Sequence, residues 1–150
     1  MRTVVVGFGD WREELERRAE DLDALFTGPL EHRHLVHLLA LADVAVVPSI
    51  FPEAFGMVAA EAAAAGCPPI VARHSGLAEI AQGLEEEYPA GLGELASFPN
   101  GDAGALRTRL EAVLALRGAE RDALRAAARH AAVTRWSWSS VAERILALVG

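Results

Sequence analysis

Two glutamates, Glu53 and Glu61, stand on either side of a glycine, Gly56, in the part of the chain with the clearest chemical content. The surrounding residues predict a strand, then a loop carrying Glu53, then a helix entered through Gly56. Glycine has no Cβ, so a ligand can approach the backbone closely there. The N–H groups of Gly56, Met57 and Val58 lie at the positive end of the predicted helix, where they have no intrahelical acceptor. The segment therefore predicts an anion-binding site.

The positions of the two carboxylates indicate what else such a ligand carries. Glu53 lies in the loop ahead of the anion site, and Glu61 lies roughly 7–8 Å along the helix axis at about 1.5 Å per residue. Carboxylate oxygens only accept hydrogen bonds, which suits the hydroxyl pairs of sugars. A ligand with a phosphate centre and hydroxylated ends fits this layout. On the residues alone a second interpretation stays open, in which Glu53 is a solvated or dipole-stabilising loop residue and Glu61 is a surface helix residue.

Alternating strands and helices position this segment. Short apolar runs rich in β-branched residues are typical of strands buried on both faces of a parallel sheet, and the stretches between them have helical periodicity. The predicted strands cover residues 3–7, 25–27, 44–47 and 69–72, with an edge strand near 94–98; the predicted helices cover 11–25 with Asp10 as N-cap, 34–41, 57–65, 77–84, 102–116, 120–134 and a last helix to 149. We therefore expect an α/β fold: a Rossmann-like parallel sheet with helices on both faces, in which residues 1–150 form one domain closed by a C-terminal helix at 136–149.

Composition excludes several classes of protein. The 150 residues include 14 basic and 21 acidic side chains, and the net charge of −7 is a poor match to nucleic acid or to an anionic membrane. The single cysteine, Cys67, cannot form an internal disulfide, and a buried apolar role is expected for it. No apolar run reaches the roughly 18 residues of a membrane span, and the first residues do not follow the pattern of a signal peptide. We therefore expect a cytoplasmic protein that binds no nucleic acid and does not span a membrane.

Other residues that could do chemistry have simpler interpretations. His32, His34 and His37 are spaced by two and three positions, which does not place all three on one helix face. A solvated helix start is therefore favoured over a metal site. Arg73 and His74 follow a strand end, where contact with a phosphate and packing of the loop are both open.

Two tryptophans and a run of three glutamates have structural interpretations. Trp136 and Trp138 are expected to anchor the last helix in the core rather than to stack on a sugar. Residues 85–87 are three consecutive glutamates, and we expect them in a solvated loop.

The eight-residue spacing of Glu53 and Glu61 around Phe55 and Gly56, followed by an alanine-rich helix, resembles the E-x7-E motif of retaining glycosyltransferases of the GT-B fold, family 4. Further segments resemble that family in the same order: residues 6–15 its second strand and helix of the C-terminal domain, 42–49 the strand before the motif, 70–79 the Gly-Gly-Leu-Pro-Glu segment after it, and 136–142 its closing helix. The resemblance covers nearly the whole chain. It implies the C-terminal domain of such an enzyme, which binds the nucleotide-sugar donor.

The resemblance also implies a role for each matching residue. Glu61 would accept hydrogen bonds from the ribose hydroxyls of a nucleoside diphosphate sugar, and Glu53, the implied catalytic residue, would contact a hydroxyl of the donor sugar. The other implied donor-binding groups are the backbone N–H groups of Phe55, Gly56, Met57 and Val58 near the sugar and phosphates, and Gly28, Pro29 and Leu30 beside the base. The implied reaction transfers a glycosyl unit to an acceptor with retention at the anomeric carbon, by positioning and charge stabilisation and without a metal or other cofactor.

The chain also departs from the family pattern. Ser75 stands in place of the first glycine of the family's glycine pair, and Ala78 stands in place of its proline. The family's domain opens with an earlier strand and helix whose Arg and Lys neutralise the diphosphate, and the chain, which contains no Lys, starts after that unit. The N-terminal acceptor domain has no counterpart either.

The absent first strand has a consequence for folding and for function. It would leave two interior strand edges unpaired, at about 1–3 kcal/mol for each buried unmet group. We expect the gap beside strand 44–47 to be closed by rearranged strand pairing, by strand exchange in a homodimer, or by a partner chain such as the missing N-terminal domain. The isolated chain is then expected to be inactive. The alternative function is a non-catalytic, truncated or split nucleotide-binding module that completes an enzyme in trans, whereas a nucleotide-sugar 2-epimerase of the same architecture is disfavoured by the motif.

Overall fold

The computed structural model describes residues 1–149, which divide into two compact units, residues 1–35 and the residues from Val36 onward. Strands and helices alternate along most of the chain, and consecutive helices end it. In chain order the elements are β1 (Thr3–Val6), α1 (Arg12–Arg18), β2 (Ala24–Gly28), α2 (His32–Leu41), β3 (Ala45–Val47), α3 (Met57–Ala64), β4 (Pro69–Arg73), α4 (Ser75–Glu87), β5 (Ser97–Pro99), α5 (Ala103–Ala115), α6 (Gly118–Ala131) and α7 (Trp138–Val149). Parallel sheets with helices on both sides confirm the predicted α/β class.

The first unit contains a two-stranded parallel sheet of β1 and β2, in which Thr3 pairs with Ala24. The prediction that strand 3–7 is buried on both faces is wrong, because Val5 and Val6 each keep 36% of their surface exposed. β1 has one neighbouring strand, and α1 buries none of its residues. The apolar side chains of a parallel strand are fully shielded from solvent only when both faces of the sheet are covered.

The first helix is also shorter than predicted. It covers Arg12–Arg18 rather than residues 11–25, and its N-cap is Trp11, without a side-chain bond, rather than Asp10. Leu25, where the predicted helix 11–25 and the predicted strand 25–27 overlap, lies in β2, where the backbone is extended and pairs with β1. Strand pairing overrides helical periodicity at this point.

The second unit is built on a three-stranded parallel sheet in the order β3-β4-β5. Ile70, Val71 and Ala72 of β4 have no exposed surface, as expected for the centre of a parallel sheet. α3 packs against β3 and β4. Its fully buried residues are small (Ala59, Ala62 and Ala63), which confirms the predicted close packing of this helix on the strands.

The acidic run 85–87 corrects another expectation. These glutamates form the last turn of α4, which begins at Ser75 rather than at residue 77 and extends to Glu87 rather than to 84. They are paired and not simply solvated: the guanidinium of Arg135 lies 2.8 Å from both Glu86 and Glu87, and Arg73 forms an ion pair with Glu85. The helix therefore continues beyond residue 84, and Arg135, which pairs with its last two residues, lies almost 50 positions later in the chain.

The C-terminal part differs in detail from the prediction. Residues 93–96 form a 3-10 turn that leads into β5, and the helix expected over 120–134 ends at Ala131, where a π-helical turn over Ala132–Trp136 follows. Trp136 packs against the core as predicted. Trp138 is 84% exposed, so the prediction that it anchors the core is wrong. Cys67 is fully buried, as predicted, and burial raises the pKa of its thiol to about 11.

Strand pairing stays within the two separate sheets. Among the described residues, β3 pairs with β4 alone, so its other edge carries no strand. Rearranged pairing inside the chain therefore does not fill the position expected beside residues 44–47. Across residues 1–149, no helix combines the length and apolar character that crossing a membrane requires.

Candidate functional site

The N-terminus of α3 begins at Gly56, as the sequence predicts. Gly56 has the left-handed backbone conformation (φ 108°, ψ 52°), and no side chain caps the helix. The carbonyl of Gly56 accepts from the N–H of Ala59 at 3.0 Å. The N–H groups of Met57 and Val58, which precede Ala59 in the first turn, have no acceptor within the helix. Met57 and Val58 are exposed. The helix therefore presents backbone donors and its positive dipole end to solvent.

Gly56 is also required by packing. A Cβ at this position would lie 2.6 Å from Cδ2 of Leu77, a fully buried residue of α4. Its positive φ would in addition strain any L-residue. The glycine at the start of α3 therefore also lets the loop approach α4.

Gly76 provides a second close approach between the same two regions. A Cβ on Gly76 would lie 2.4 Å from the carbonyl oxygen of Ala54 and 2.5 Å from the nitrogen of Phe55. The N–H of Gly76 donates to the carbonyl of Glu53 at 2.9 Å. The loop between β3 and α3, residues 48–56, therefore rests on the start of α4 through main-chain atoms. We refer to it as the 48–56 loop.

Phe55 ties this loop to the C-terminal segment. Its ring makes an edge-to-face contact with Trp136, with ring centroids 6.2 Å apart and planes at 77°. Gly83 of α4 makes room for the indole, because a Cβ there would lie 2.7 Å from Cζ2 of Trp136. The half-buried Phe55 thus fixes the loop from the side opposite to its exposed residues.

A shallow cavity of about 430 Å³ opens where β3 ends. Its lining residues come from the end of β3, the 48–56 loop and the first turn of α3: Val46, Val47, Pro48, Ser49, Ile50, Phe51, Glu53 and Val58. Glu53 is half-buried and contributes to the wall. The cavity therefore lies at the carboxyl end of a parallel strand, where ligands bind in open α/β sheets.

Glu61 lies outside this lining, one turn further along α3. Residues three and four apart are neighbours on a helix surface, so the half-buried Glu61 lies on the same side of α3 as the exposed Val58 and Met57. The opposite face is made of buried alanines. The predicted order along the helix, with Glu53 before the exposed N–H groups and Glu61 beyond them, is thus present. The roles of these residues in ligand binding stay predictions.

Sequence reasoning missed a hydrogen-bonded cluster beside Glu53. The backbone N–H of Glu53 donates to Oγ of Ser75 at 3.0 Å. The same oxygen lies 3.0 Å from Nδ1 of His74, whose Nε2 lies 2.5 Å from the carbonyl oxygen of Ser49. His74 therefore packs into the loop, which is one of its two open interpretations, while the neighbouring Arg73 is paired with Glu85. The signal in the sequence was a serine at a glycine position.

The residues expected beside the base lie in the first unit. Gly28 is buried with φ 73°, and a Cβ there would lie 3.2 Å from Nη1 of Arg12. Arg12 donates to the carbonyl of Phe26 at 3.1 Å. Pro29 and Leu30 follow directly after β2. Their role beside a base stays a prediction.

The described part of the chain holds no group of three or more His, Cys, Asp or Glu side chains placed to bind a metal ion. The three histidines at 32, 34 and 37 thus do not form such a group. His32 and His34 lie in the first turn of α2, as the favoured interpretation has it.

Comparison with known proteins identifies the family. The family described as "Glycosyl transferases group 1" matches residues 1–131. The chain is 48% identical over 80 residues, 53% of its length, to a GDP-mannose-dependent alpha-(1-6)-phosphatidylinositol dimannoside mannosyltransferase of Mycobacterium tuberculosis. It is 34% identical over 113 residues, 75% of its length, to sulfoquinovosyl transferase SQD2 of Arabidopsis thaliana.

A solved structure agrees with these matches. Sucrose-phosphate synthase from Thermosynechococcus elongatus superposes with a TM-score of 0.76 at 28% identity, covering 97% of this chain and 37% of that one. The chain spans about a fifth (21%) of the length of the two curated relatives. The family match extends over most of the chain and agrees with the fold and with the order of the motifs. The chain belongs to the group 1 glycosyl transferases.

Proposed function

We propose that the chain forms the nucleotide-sugar donor-binding part of a retaining glycosyltransferase. One observation carries the proposal: the uncapped N-terminus of α3 stands at the edge of a cavity whose wall contains Glu53, and Glu61 follows one turn along the same side of the helix. Backbone donors between two carboxylates suit a ligand with a diphosphate centre and a sugar at each end.

Each part of the site has a distinct task in this proposal. The N–H groups of Met57 and Val58, with the helix dipole, stabilise the diphosphate, and most strongly when it departs with negative charge. Glu53 accepts from a hydroxyl of the donor sugar and is the residue proposed to take part in catalysis. Glu61 accepts from the ribose hydroxyls. Gly28, Pro29 and Leu30 border the base. Transfer proceeds with retention at the anomeric carbon, by positioning and charge stabilisation.

The family membership and two relatives support this proposal. One relative is named as a GDP-mannose-dependent mannosyltransferase and another as a sulfoquinovosyl transferase, so both transfer sugars. In each of these relatives the matching segment covers only 21% of the length. The acceptor, the remaining catalytic groups and the complete reaction are therefore proposed to involve protein beyond these 150 residues.

Calorimetry with the 150-residue chain tests the donor site. GDP, UDP and ADP, each alone and as GDP-mannose, UDP-glucose and ADP-glucose, are titrated separately, and one nucleotide should bind in preference to the others. Glu61→Gln removes the charge with little change in volume. It should weaken binding of the preferred nucleotide about tenfold, since a hydrogen bond to a charged group contributes about 1.5–3 kcal/mol.

Glu120→Gln is the matched control for that substitution. Glu120 lies in the first turn of α6, is exposed and is remote in sequence from the candidate site. Its substitution should leave the affinity within about twofold of the wild type. If no nucleotide or nucleotide sugar binds the wild-type chain, or if both variants bind equally well, a donor site at α3 is excluded.

A non-catalytic module that completes an enzyme in trans is the second candidate function. Within residues 1–149 β3 pairs with a strand on one side only, which favours this function, because an unpaired strand edge offers N–H and C=O groups to another strand. Ile50 and Phe51, which follow β3 in the 48–56 loop, are exposed and add apolar surface. The partner is then either a second copy that exchanges a strand or a chain carrying the acceptor domain. Light scattering tests the homodimer: a monomeric mass at all protein concentrations excludes it.

A further inference from the structure

Ser75 and His74 hold the loop that carries Glu53 through a chain of hydrogen bonds, and we propose that these two side chains are positioning residues for Glu53 in donor binding. This inference rests on the proposed function and adds two residues to it. Neither side chain lines the cavity. Both act on the ligand through the 48–56 loop, which forms most of the cavity wall.

When the imidazole of His74 is neutral, the hydrogen bonds have one consistent direction of donation. The Ser49 carbonyl can only accept, so Nε2 of His74 carries the proton and donates to it at 2.5 Å. In the neutral ring Nδ1 is then an acceptor, and the hydroxyl of Ser75 donates to it at 3.0 Å. The Ser75 oxygen in turn accepts the N–H of Glu53 at 3.0 Å. Each donor has one acceptor, and the imidazole is fixed as a single tautomer.

These bonds hold the loop at two separate points. His74 holds it at Ser49, just after β3 ends, and Ser75 holds it at Glu53. The bond from the N–H of Gly76 to the carbonyl of Glu53, 2.9 Å long, fixes the second point from the other side of the peptide unit. A loop anchored in this way is ordered before a ligand arrives, so less conformational entropy is lost on binding.

The backbone of Ser75 supports a role for its hydroxyl. Its φ of 44° is the only positive φ at a non-glycine residue in the described chain. A side chain in this region is strained, and such strain persists where the surroundings require it. The family that the sequence resembles has glycine here, which would relieve the strain but provide no hydroxyl. Serine has the strained backbone conformation, but its hydroxyl oxygen joins His74 to Glu53.

Amide hydrogen exchange, measured by NMR on the full chain without ligand, tests the anchor. Ser75→Ala removes the hydroxyl, Ser75→Gly removes it and also relieves the backbone, and Ser139→Ala is the control, since Ser139 is exposed on α7. The amide of Glu53 should exchange at least about tenfold faster in both Ser75 variants, because it loses its acceptor. The amides of β4 should be unchanged, which shows that the fold is intact. Exchange at Glu53 within twofold of the wild type in the two Ser75 variants would overturn the proposal.

The ring of His74 gives an independent signature of the same chain. At an alkaline pH, where the ring is neutral, ¹⁵N NMR of the wild type should show the Nε2–H tautomer, and in Ser75→Ala the Nδ1 resonance should move, since Nδ1 no longer accepts from the hydroxyl. A wild-type ring protonated on Nδ1 alone would contradict the direction of donation and overturn the proposal.

Calorimetry then separates positioning of Glu53 from a general structural role. If Glu53 contacts the donor sugar, the gain in affinity of the nucleotide sugar over the bare nucleotide should fall about tenfold in Ser75→Ala, while the affinity for the bare nucleotide stays within about twofold. An unchanged gain in Ser75→Ala would overturn the positioning role. If the wild type binds no nucleotide sugar, the proposed function fails and the positioning role fails with it, whereas the exchange rates still decide whether the anchor exists.

Discussion

β1 and β4 are both short apolar runs rich in β-branched residues, yet they lie in very different surroundings. In the first unit β1 has one strand beside it, and Val5 and Val6 remain partly exposed. In the second unit β4 has a strand on each side and helices packed against it, and Ile70 and Val71 are fully buried. An apolar run is therefore buried only as far as neighbouring strands and helices cover it.

The two units also differ in how their helices contribute. α1 buries none of its residues, and its polar contacts are mostly local, such as those of Glu14 with Arg17 and Arg18. α4 buries five residues and is tied to distant segments through its last turn. The second unit therefore has a well-packed core, whereas a two-stranded sheet with an exposed helix has little. We expect the second unit to determine most of the measured stability.

A matched pair of leucine substitutions should give the largest difference between the units. Leu84 of α4 is fully buried, so Leu84→Ala leaves a cavity and should lower the free energy of unfolding by about 2–5 kcal/mol. Leu25 of β2 is 55% exposed, so Leu25→Ala should cost less than about 1 kcal/mol. Urea denaturation followed by far-UV circular dichroism measures both values. Equal costs for the two variants would show that the first unit has a core of comparable strength.

Alanine substitutions of one glycine in each unit should differ in their effect on stability by an intermediate amount. Gly76→Ala would place a Cβ 2.4 Å from the backbone carbonyl oxygen of Ala54, which cannot move without displacing the 48–56 loop, and should destabilise the protein by about 1–3 kcal/mol. Gly9→Ala, in the first unit, meets nothing within 4 Å and should change stability by less than about 0.5 kcal/mol. Thermal unfolding followed by circular dichroism measures the two. A Gly76→Ala protein as stable as the wild type would mean that the loop does not rest on α4 in solution.

The smallest expected effect concerns pH. Arg135, and then His130, hold the pKa of the Glu87 carboxyl below its ordinary value. The folded state therefore favours the ionised carboxylate, which stabilises it fully above the ordinary pKa of 4.5 and is lost as the pH falls through the lower folded pKa. Glu87→Gln should cost up to about 1 kcal/mol at pH 7, as measured by urea denaturation. This difference from the wild type should shrink below pH 4.5.

Glu14→Gln is the counterpart of that substitution in the first unit. Arg18, and then Arg17, lower the pKa of the Glu14 carboxyl as well, but all three residues belong to one exposed helix. Glu14→Gln should therefore lower the free energy of unfolding less than Glu87→Gln, because Glu87 joins α4 to the segment after α6. A larger pH-dependent effect for Glu14 would reverse the order of the two units.

Local signals in the sequence predicted much of the second unit. Gly56 and the following alanines fixed both the start of α3 and its buried face, because backbone freedom and small side chains act within one element. Asp102 was placed at the start of the predicted helix over 102–116, and its side chain caps α5 by accepting from the N–H of Ala105. The family resemblance identified the correct family from motifs spread along the chain.

Features that depend on distant partners were not predictable in the same way. The last turn of α4 is stabilised by Arg135 and His130, more than 40 positions later in the chain. The contact of Ser75 with Glu53 joins residues 22 positions apart. Trp138 has the same residue type as Trp136 and lies two positions later, yet one is exposed and the other packs on the core. No periodicity distinguishes such cases.

The contact between Gly76 and the 48–56 loop has a consequence for engineering. This contact is made by main-chain atoms of the loop, whereas the side chains of Ile50, Phe51 and Ala54 are exposed. A library randomised at these three positions should yield folded variants in which the part of the cavity wall formed by Ile50 and Phe51 is altered. The same library would have to leave position 76 as glycine, since any larger residue would lift the loop away from the helix beneath it.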